Sequence, residues 1–505
     1  MDVLNSLAYG FSVAITPTNL LMALVGSFFG TIVGALPGIG PSLGVTILIP
    51  IAFSLGLSPV STLILLSSVY YGSMYGGRIS SILLNIPGDE PALMTCLDGY
   101  PMARKGLAAD ALAVATLSSF IGGTLATIGL TVFAPFLVQF AIYFGPAEYL
   151  ALYVLALSTI GGLTGINPAK TLLSAMLGLV IATVGIDAST SVPRYTFGIF
   201  KLYDGVNFIV AMVGLFAICE FLVYLETSHK AARIIPVGRM TMSWRELCSW
   251  PASLRGSLLG FIAGVLPGAG ASLGSYIAYV FEKRLSDRNG TFGYGDPRGV
   301  AAPEAGNNAA AGGALIPMLT LGVPGSGTTA VLLAMLISLN ITPGPLLFER
   351  QPDLVWGLIA SLYIANVMLL VLNLPLVGIF TKILSTPPWV LMPMVIIVCF
   401  AGVYSINHSA FDILLMTGFG AFGYILRKMG VSLVPMVLGV LLGGPIEMNL
   451  RRALSIGSGD WTILISKPLP VILYLTAFLL LAVAFVLDFR RAGKESAPAP
   501  NTLTI

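Results

Sequence analysis

Charged side chains are scarce in this sequence. Only 9% of its 505 residues are Asp, Glu, Lys or Arg, whereas 56% are hydrophobic and the mean hydropathy is +0.93. A soluble domain carries about 25% charged residues, so this chain has too few to cover a surface that faces water. Its net charge is +3 and its basic residues are scattered between apolar runs, which argues against a nucleic-acid partner. The composition predicts an all-α polytopic membrane protein.

Cysteine pairs and the common catalytic motifs are also missing. The four cysteines lie far apart, without a CxxC spacing and mostly within or beside apolar runs, at Cys96, Cys219, Cys248 and Cys399. They are typical of small buried side chains, not of disulfides or metal ligands. The chain has no GxxxxGK[ST], HExxH or GxSxG motif, and His408 is a lone histidine. We therefore expect neither an enzyme nor a bound metal or cofactor, and any transport should draw its energy from an ion gradient.

Glycine and proline, in contrast, are abundant and occur in a repeated motif. The stretch GSFFGTIVGALPGIGPSLG at Gly26 to Gly44 returns as GSLLGFIAGVLPGAGASLG at Gly256 to Gly274, with a constant shift of 230 residues. Pro37 and Pro267 lack the N–H that a helix uses, and the glycines beside them permit left-handed backbone. Each stretch therefore predicts an apolar helix that breaks at its Pro-Gly pair. Unwound backbone at membrane depth persists only where protein or a water-filled cavity satisfies it.

A second pair of related stretches follows. YGGRISSILLNIPGDEPALMT at Tyr75 to Thr95 and GGALIPMLTLGVPGSGTTAVL at Gly312 to Leu332 align through Pro87-Gly88 and Pro324-Gly325, with a shift of 237 residues. The larger shift is absorbed by the charged, turn-rich segment from Glu282 to Arg298, which predicts a solvent loop. Broken elements at equivalent places in two halves of a membrane protein point to a transporter's substrate site. We predict a two-fold internal repeat with broken helices or re-entrant hairpins at the Pro-Gly motifs.

Basic residues divide the chain and indicate its orientation. Residues 226–255 are polar and rich in Lys and Arg, which places them in the cytoplasm as a linker. Residues 489–505 carry three basic residues before a Ser/Ala/Pro run and predict a disordered cytoplasmic tail. The first membrane repeat then covers residues 1–225 and the second 256–488. Because no basic residue precedes Arg78, we expect the chain to start outside, which predicts an inverted repeat; a parallel repeat remains the alternative.

The helix breaks offer an anion free N–H groups and the positive end of a helix dipole. Short hydroxyl and amide side chains beside them can hold carboxylate oxygens, and Arg78 can match an anionic substrate, unless it reaches an interface or pairs with Asp89 or Glu90. The alternative is that Gly and Ser only permit close helix packing, which we favour for the ladder at Gly26, Gly30 and Gly34 and its copy. The predicted substrate-binding residues are Gly38, Gly40, Ser42, Arg78, Ser80, Ser81, Asn85, Gly268, Gly270, Ser272, Pro324, Gly325, Ser326 and Thr328.

A further set of polar residues can serve a coupling ion. In the small-residue stretch around Glu304, one carboxylate and two amides can bind sodium or carry a proton. The alternative for Glu304 is a cap, because Pro303 can start a helix. Asp89 and Glu90 are acids near a predicted anion site, which requires that they face water or bind the cation. The predicted ion-coupling residues are Asp89, Glu90, Thr95, Glu304, Asn307, Asn308 and Thr329.

Four long motifs carry a resemblance to a known family. They are GALPGIGPSLG, YGGRISSILLNIPGDEPALMTCLDGYPMARKG, GVAAPEAGNNAAAGGALIPMLTLGVPGSGTTAVLL and GYILRKMGVSLVPMVLGVLLGGPIEMNLRRAL. With them, from about residue 15 to about residue 490, the chain resembles the large membrane subunit of the tripartite tricarboxylate transporters. The resemblance implies a multi-pass secondary carrier of the bacterial inner membrane that takes up citrate or another carboxylate. It also implies a small four-helix membrane subunit, a periplasmic solute-binding protein and a sodium or proton gradient.

Two other functions stay open at this point. A gated or ungated anion channel needs an open polar path without coupling, and a membrane-embedded enzyme needs a nucleophile with a base or a metal cluster. The sequence contains neither a repeated ring of acids nor such a cluster. The identity of the carboxylate, the driving ion and the formation of a homo-oligomer are open as well.

Overall fold

The computed structural model describes residues 3–36, 39–141, 143–163, 167–187, 190–226, 234–238, 249–268, 270–384 and 388–495. Helices make up almost all of the regular structure in these ranges, which confirms the predicted all-α membrane fold. Among the described residues, six helices are long and apolar enough to cross a membrane: Pro17–Ala35, Ala108–Ala141, Phe208–Glu226, Pro352–Asn373, Ala410–Lys428 and Pro468–Val486.

The described residues up to Glu226 form ten α-helices. They are α1 Val3–Ala14, α2 Pro17–Ala35, α3 Gly40–Ser54, α4 Pro59–Leu84, α5 Leu93–Arg104, α6 Ala108–Ala141, α7 Pro146–Leu163, α8 Pro168–Ala182, α9 Phe208–Val213 and α10 Cys219–Glu226. A π-helical turn, Gly214–Ile218, joins α9 to α10. Between α8 and α9 lie the antiparallel strands β1 Gly185–Ile186 and β2 Pro193–Arg194 and a short 3-10 helix, Phe200–Leu202.

The second part contains twelve described α-helices. They are α11 Trp250–Val265, α12 Gly270–Ser286, α13 Pro297–Gly313, α14 Leu315–Leu321, α15 Gly327–Ser338, α16 Leu347–Arg350, α17 Pro352–Asn373, α18 Val377–Leu384, α19 Pro388–Asn407, α20 Ala410–Lys428, α21 Val434–Ile456 and α22 Pro468–Glu495. A 3-10 helix, Trp461–Ile465, precedes α22. Many helices of both parts begin at a proline, whose fixed φ suits the first turn, where no N–H is needed.

The two glycine ladders pack as predicted, and they pack in the same way. A Cβ at Gly30 in α2 would lie 2.4 Å from the carbonyl oxygen of Val69 in α4, and a Cβ at Gly260 in α11 would lie 2.1 Å from that of Gly306 in α13. The other glycines of the two ladders make the same kind of contact. The absence of side chains therefore brings α2 against α4 and α11 against α13 at backbone distance.

The break at Pro267-Gly268 produces a helical hairpin. Arg255, near the start of α11, forms a bidentate ion pair with Glu282, near the end of α12, with N–O distances of 2.8 and 2.7 Å. The open ends of the two helices therefore lie side by side, and the break forms the tip. In the first part, α2 ends at Ala35 and α3 begins at Gly40, so a break occurs there as well.

Helices α4 and α13 run in opposite directions. A Cβ at Gly312 would lie 2.5 Å from the hydroxyl of Tyr71, whereas Arg78 and Glu304 both bind Ser119 of α6. Residue numbers therefore rise along α4 as they fall along α13. Because α2 lies parallel to α4 and α11 parallel to α13, the helices that carry the repeated motifs have opposite directions in the two parts.

The charged segment from Glu282 to Arg298 is only partly a solvent loop, which corrects the prediction. Its first residues complete α12, and the buried carboxylate of Asp98 in α5 fixes its far end. The Asp98 Oδ1 atom accepts hydrogen bonds from the backbone N–H groups of Gly293, Gly295 and Asp296, at 2.8, 2.9 and 2.8 Å. A carboxylate that receives several N–H groups needs no cation, so the loop closes over α5.

Parts of the predicted linker, of the tail and of the first motif fall outside the described residues. These are residues 227–233 and 239–248 of the linker, 496–505 of the tail, and Pro37 and Gly38. Within the linker, Ile235 donates its N–H to the carbonyl of Leu83, at 3.3 Å, so residues 234–238 lie against the end of α4. Cys96, Cys219 and Cys399 are buried and free, as predicted.

Candidate functional site

Four loops that carry the Pro-Gly motifs meet at one junction. They join α2 to α3, α4 to α5, α11 to α12, and α14 to α15. Ser42 Oγ lies 3.0 Å from Thr328 Oγ1, and Ser272 Oγ donates to Glu90 Oε2 at 3.4 Å. The first motif of each part thus contacts the second motif of the other part. We call this meeting point the Pro-Gly junction.

Two more contacts close the junction. Ser275 Oγ, one turn into α12, donates to the carbonyl of Pro91 at 2.8 Å, and Tyr70 Oη lies 3.4 Å from Ser326 Oγ. Tyr70 is in α4, so the second loop of the second part rests on a helix of the first. The junction therefore combines backbone, hydroxyl and carboxylate groups from both parts of the chain.

Left-handed glycines shape the two loops that precede α3 and α12. Gly40, Gly268 and Gly270 have φ values of 61°, 77° and 66°, which side chains with a Cβ adopt only at a cost. A Cβ at Gly40 would meet nothing within 4 Å, so the need for glycine there is conformational. The N–H of Gly268 donates to the carbonyl of Gly325 at 3.1 Å.

The other two loops double back along the helices that they leave. Asn85 ends α4 and Gly322 ends α14, both in the left-handed region with φ of 57° and 67°. The chain then returns so closely that a Cβ at Gly88 would lie 2.7 Å from the Cα of Gly77, and at Gly325 2.8 Å from the Cα of Ala314. Asn85 is exposed and acts here as a helix end.

Two of the predicted ligands accept backbone N–H groups where these loops end. Asp89 Oδ1 accepts the N–H of Ala92 at 3.0 Å, and Ser326 Oγ accepts the N–H of Thr329 at 3.2 Å in a capping box that Thr329 completes. Asp89 and Ser326 are equivalent in the aligned motifs, but only Ser326 is the N-cap of its helix, whereas Asp89 closes a turn with Ala92, the residue before α5. The first turn of α3, which begins at Gly40, has no side-chain cap, and Pro41 in that turn has no N–H.

Arg78 is buried, and its guanidinium contacts other side chains and a backbone carbonyl inside the protein. Its Nη1 atom donates to Ser119 Oγ at 2.7 Å and to the carbonyl of Ala115 at 3.1 Å, and its guanidinium lies 4.7 Å from the ring centroid of Tyr75. No ion pair within 4 Å joins Arg78 to Asp89 or Glu90 among the described residues. The predicted alternative partners of Arg78 are therefore wrong for this conformation.

Glu304 lies in the middle of α13 and is fully buried, so the alternative of a cap at a helix start is wrong. Its Oε1 accepts from Thr95 Oγ1 at 2.5 Å, and its Oε2 accepts from Ser119 Oγ at 3.0 Å. The Ser119 hydroxyl thus connects the carboxylate of Glu304 to the guanidinium of Arg78. One opposite charge sits a single hydroxyl away, which lowers the cost of burying Glu304.

Unpaired polar atoms are concentrated around Glu304. Asn308 Nδ2 donates to the Glu304 carbonyl at 2.9 Å, but Asn308 Oδ1 has no partner. Both amide atoms of Asn307, Oδ2 of Asp89 and Nη2 of Arg78 are also buried without a partner. A buried polar atom without a hydrogen bond costs about 1–3 kcal/mol, so these atoms need a bound ion, a ligand or water.

The remaining predicted residues differ in whether their polar groups are free to bind a substrate. Ser80 and Ser81 are buried and donate to the carbonyl of Gly77 at 3.3 and 2.9 Å, which occupies their hydroxyl protons. Pro324 belongs to the returning segment before Gly325. Gly38 lies outside the described residues. A cavity of about 370 Å³ adjoins Pro87, but its lining is mostly apolar and does not suit a carboxylate.

Three residues with a part in these contacts were not predicted from the sequence: Ser119, Tyr70 and Asp98. Ser119 and Tyr70 lie in ordinary apolar helices, and their partners are far away along the chain. Asp98 was visible as an acid in an apolar stretch, and that rarity was the one signal available for it. Ser and Tyr give no such signal in a membrane helix.

Two broken-helix units of opposite direction that meet at a polar junction are features of a multi-pass membrane transporter. The model of the tripartite tricarboxylate transporter TctA family matches residues 20–438, and the chain belongs to this family. It is 40% identical over 495 residues to an Agrobacterium vitis protein described as an uncharacterized 52.8 kDa protein in the TAR-I ttuC' 3' region, covering 97% of this chain and 98% of that one.

A second Agrobacterium vitis protein, described as an uncharacterized protein in the TAR-II ttuC' 3' region, is 43% identical over 210 residues. That match covers 42% of this chain and 87% of the relative. No solved structure matches the chain.

Proposed function

We propose that this subunit imports a carboxylate, such as citrate or a related organic acid, across the bacterial inner membrane. A sodium or proton gradient drives it, a periplasmic solute-binding protein delivers the substrate, and a small four-helix membrane subunit completes the complex. The observation that carries the proposal is the crossed contact of the Pro-Gly junction, Ser42 with Thr328 and Ser272 with Glu90. Family membership supports a transporter subunit with partners.

The proposal includes an inverted repeat that alternates the junction between the two sides. Its support is that equivalent glycines make equivalent contacts: Gly76 packs on Thr31 and Ala35, and Gly313 on Phe261 and Val265, at the same shifts that align the sequences. The opposite directions of α4 and α13 favour the inverted over the parallel arrangement. Because the loops belong to different parts, a movement of one part against the other opens the junction.

The substrate carboxylate binds at the starts of α3 and α12 in this proposal. The uncapped first turn of α3 supplies N–H groups and the positive end of the helix dipole. Ser42, Ser272 and Thr328 add hydroxyl groups beside those turns. Arg78 acts mainly as the counter-ion of Glu304, and its free Nη2 atom contributes positive charge to the junction.

The coupling ion binds near Glu304. Asn307 is buried with both amide atoms unpaired, and it lies three residues after Glu304 on the same helix, where side chains share a face. Oxygens of Asn307, Asn308 and Asp89 are the hard ligands that sodium accepts. A proton on Glu304 is the alternative coupling step, because full burial favours the neutral carboxyl group, against the hydrogen bonds that Thr95 and Ser119 donate to it.

Uptake into proteoliposomes that contain both membrane subunits and loaded binding protein tests this function. Sodium and proton gradients are imposed separately, with an ionophore added in parallel. A carrier accumulates the carboxylate against its gradient with one of the two ions, and the ionophore abolishes this. Equilibration without accumulation under both gradients would show a channel and contradict the proposal.

A further inference from the structure

The segment between α8 and α9 exposes large apolar side chains that the transport site does not use. The exposed fractions are 56% for Val192, 61% for Tyr195, 85% for Phe197 and 78% for Phe200. We call residues 190–204 the aromatic loop. It precedes the helical segment Phe208–Glu226, which is long and apolar enough to cross a membrane.

A network of four charges holds the aromatic loop on α21. Arg194 lies 3.1 Å from Asp187 and 2.7 Å from Glu447, and Arg451 lies 2.6 Å from Asp187 and 2.5 Å from Glu447. The backbone adds the β1–β2 pairing and a bond from Ile186 N–H to the Tyr203 carbonyl at 2.9 Å. The loop is therefore tied down at its base while its aromatic side chains point outward.

The backbone of the loop is bent in an unfavourable way. Ser191, Tyr195 and Phe197 have φ values of 58°, 51° and 50°, in the left-handed region where residues with a Cβ are uncommon. For bulky residues this conformation costs energy, and it persists where the surroundings enforce it. The cost is unexplained if Tyr195 and Phe197 project into water.

The loop continues an exposed apolar surface of α8. Helix α8 packs Gly178 against the backbone of Met436 in α21, and its opposite face exposes Leu173, Met176 and Val180 at helical spacing. In a membrane protein such a face contacts acyl chains. Exposed apolar residues then follow along the chain from Val180 into the loop, ending at Phe200.

We propose that the aromatic loop inserts into the headgroup region of the phospholipid bilayer and fixes the depth of α8 and α21. Phe and Tyr rings at this level have an apolar body for the acyl boundary, and the Tyr hydroxyl suits the wet side. The four-charge network at the base of the loop keeps the rings in position. This inference does not depend on the transported substrate.

Tryptophan fluorescence in vesicles of brominated phosphatidylcholine tests the proposal. Phe197→Trp is introduced into the full chain, and the wild-type signal is subtracted. The matched control is Tyr294→Trp, an aromatic residue that is 72% exposed in the charged loop between α12 and α13. We expect the signal at position 197 to be quenched by bromines near the headgroup more than by bromines near the chain end, and to resist aqueous acrylamide. The Tyr294→Trp control should be quenched by acrylamide and little by the brominated lipids.

Quenching of the Phe197→Trp signal by acrylamide and not by brominated lipid overturns the proposal. So does a signal that neither quencher reaches, because another copy of the chain then covers the loop. Protection that arises only when the solute-binding protein is added assigns the loop to that partner and overturns the lipid assignment as well. Phe200→Trp repeats the test in case the first variant is poorly inserted.

Discussion

Arg78 and Glu304 bind the same hydroxyl group: Ser119 accepts from Arg78 Nη1 at 2.7 Å and donates to Glu304 Oε2 at 3.0 Å. The two charges come from helices of opposite direction, and both are almost fully buried. Breaking a buried pair from one side leaves an uncompensated charge, whereas removing both charges is far less costly. This relationship ties the two parts of the chain together next to the Pro-Gly junction.

The first prediction is a strong coupling between these charges. Arg78→Gln and Glu304→Gln should each destabilise the protein by about 3–5 kcal/mol, and the double variant should be more stable than either single one. The melting temperature in detergent measures this. Lys428→Gln is the control, because both partners of its pair with Glu226 are about half exposed and its loss should cost less. Additive losses in the double variant would contradict the bridge through Ser119.

The second prediction concerns the glycine ladders. Gly260→Ala should destabilise by about 1–3 kcal/mol or more, because its Cβ would lie 2.1 Å from a backbone oxygen that cannot move independently. Gly418→Ala in α20 is the matched control, since a Cβ there meets nothing within 4 Å and alanine favours the helix by about 1 kcal/mol. Equal melting temperatures for the two variants would show that the ladder is not a close contact.

The third prediction concerns Asp98. Asp98→Ala leaves three backbone N–H groups without an acceptor. The loop between α12 and α13 should therefore open and become sensitive to trypsin at Arg288. Gly299→Ala should act in the same direction, because its Cβ would lie 2.1 Å from Asp98 Oδ2. Asp204→Ala, at an exposed carboxylate, is the control and should leave the cleavage rate unchanged. A wild-type rate for Asp98→Ala would mean that other contacts hold the loop.

The fourth prediction concerns the unpaired amide of Asn307. Asn307→Ala should raise the concentration of the driving ion needed for half-maximal uptake about tenfold, which corresponds to about 1.4 kcal/mol, with uptake restored at saturating ion. Asn373→Ala is the control, because that buried amide already donates to the Leu369 carbonyl at 3.0 Å. An unchanged ion dependence in Asn307→Ala would remove this residue from the coupling site.

The sequence was informative where local chemistry sets the structure. The Pro-Gly breaks follow from the missing N–H of proline, and the glycine ladders follow from the missing Cβ of glycine. Residues related by the sequence shifts between the two parts also make corresponding contacts. Side-chain roles depended instead on distant partners. Arg78 was matched to an anionic substrate, with an interface or the nearby acids as alternatives, although its partner Ser119 lies 41 residues away on another helix. Asp89 was assigned to an ion, but one of its oxygens accepts the N–H of Ala92 just before α5, a role that depends on where the returning loop ends.

The central claim is that loops from both parts of the chain form one substrate site, and substrate protection of introduced cysteines tests it most directly. Ser42→Cys and Ser272→Cys are made singly in a chain with its own cysteines replaced, and labelling by a polar thiol reagent is timed with and without a saturating carboxylate. Thr462→Cys, in an exposed turn, reports any general effect of the carboxylate. The account predicts that the carboxylate slows labelling at both junction positions and not at Thr462. Equal rates with and without carboxylate at Ser42 and Ser272, in protein that transports, would contradict it.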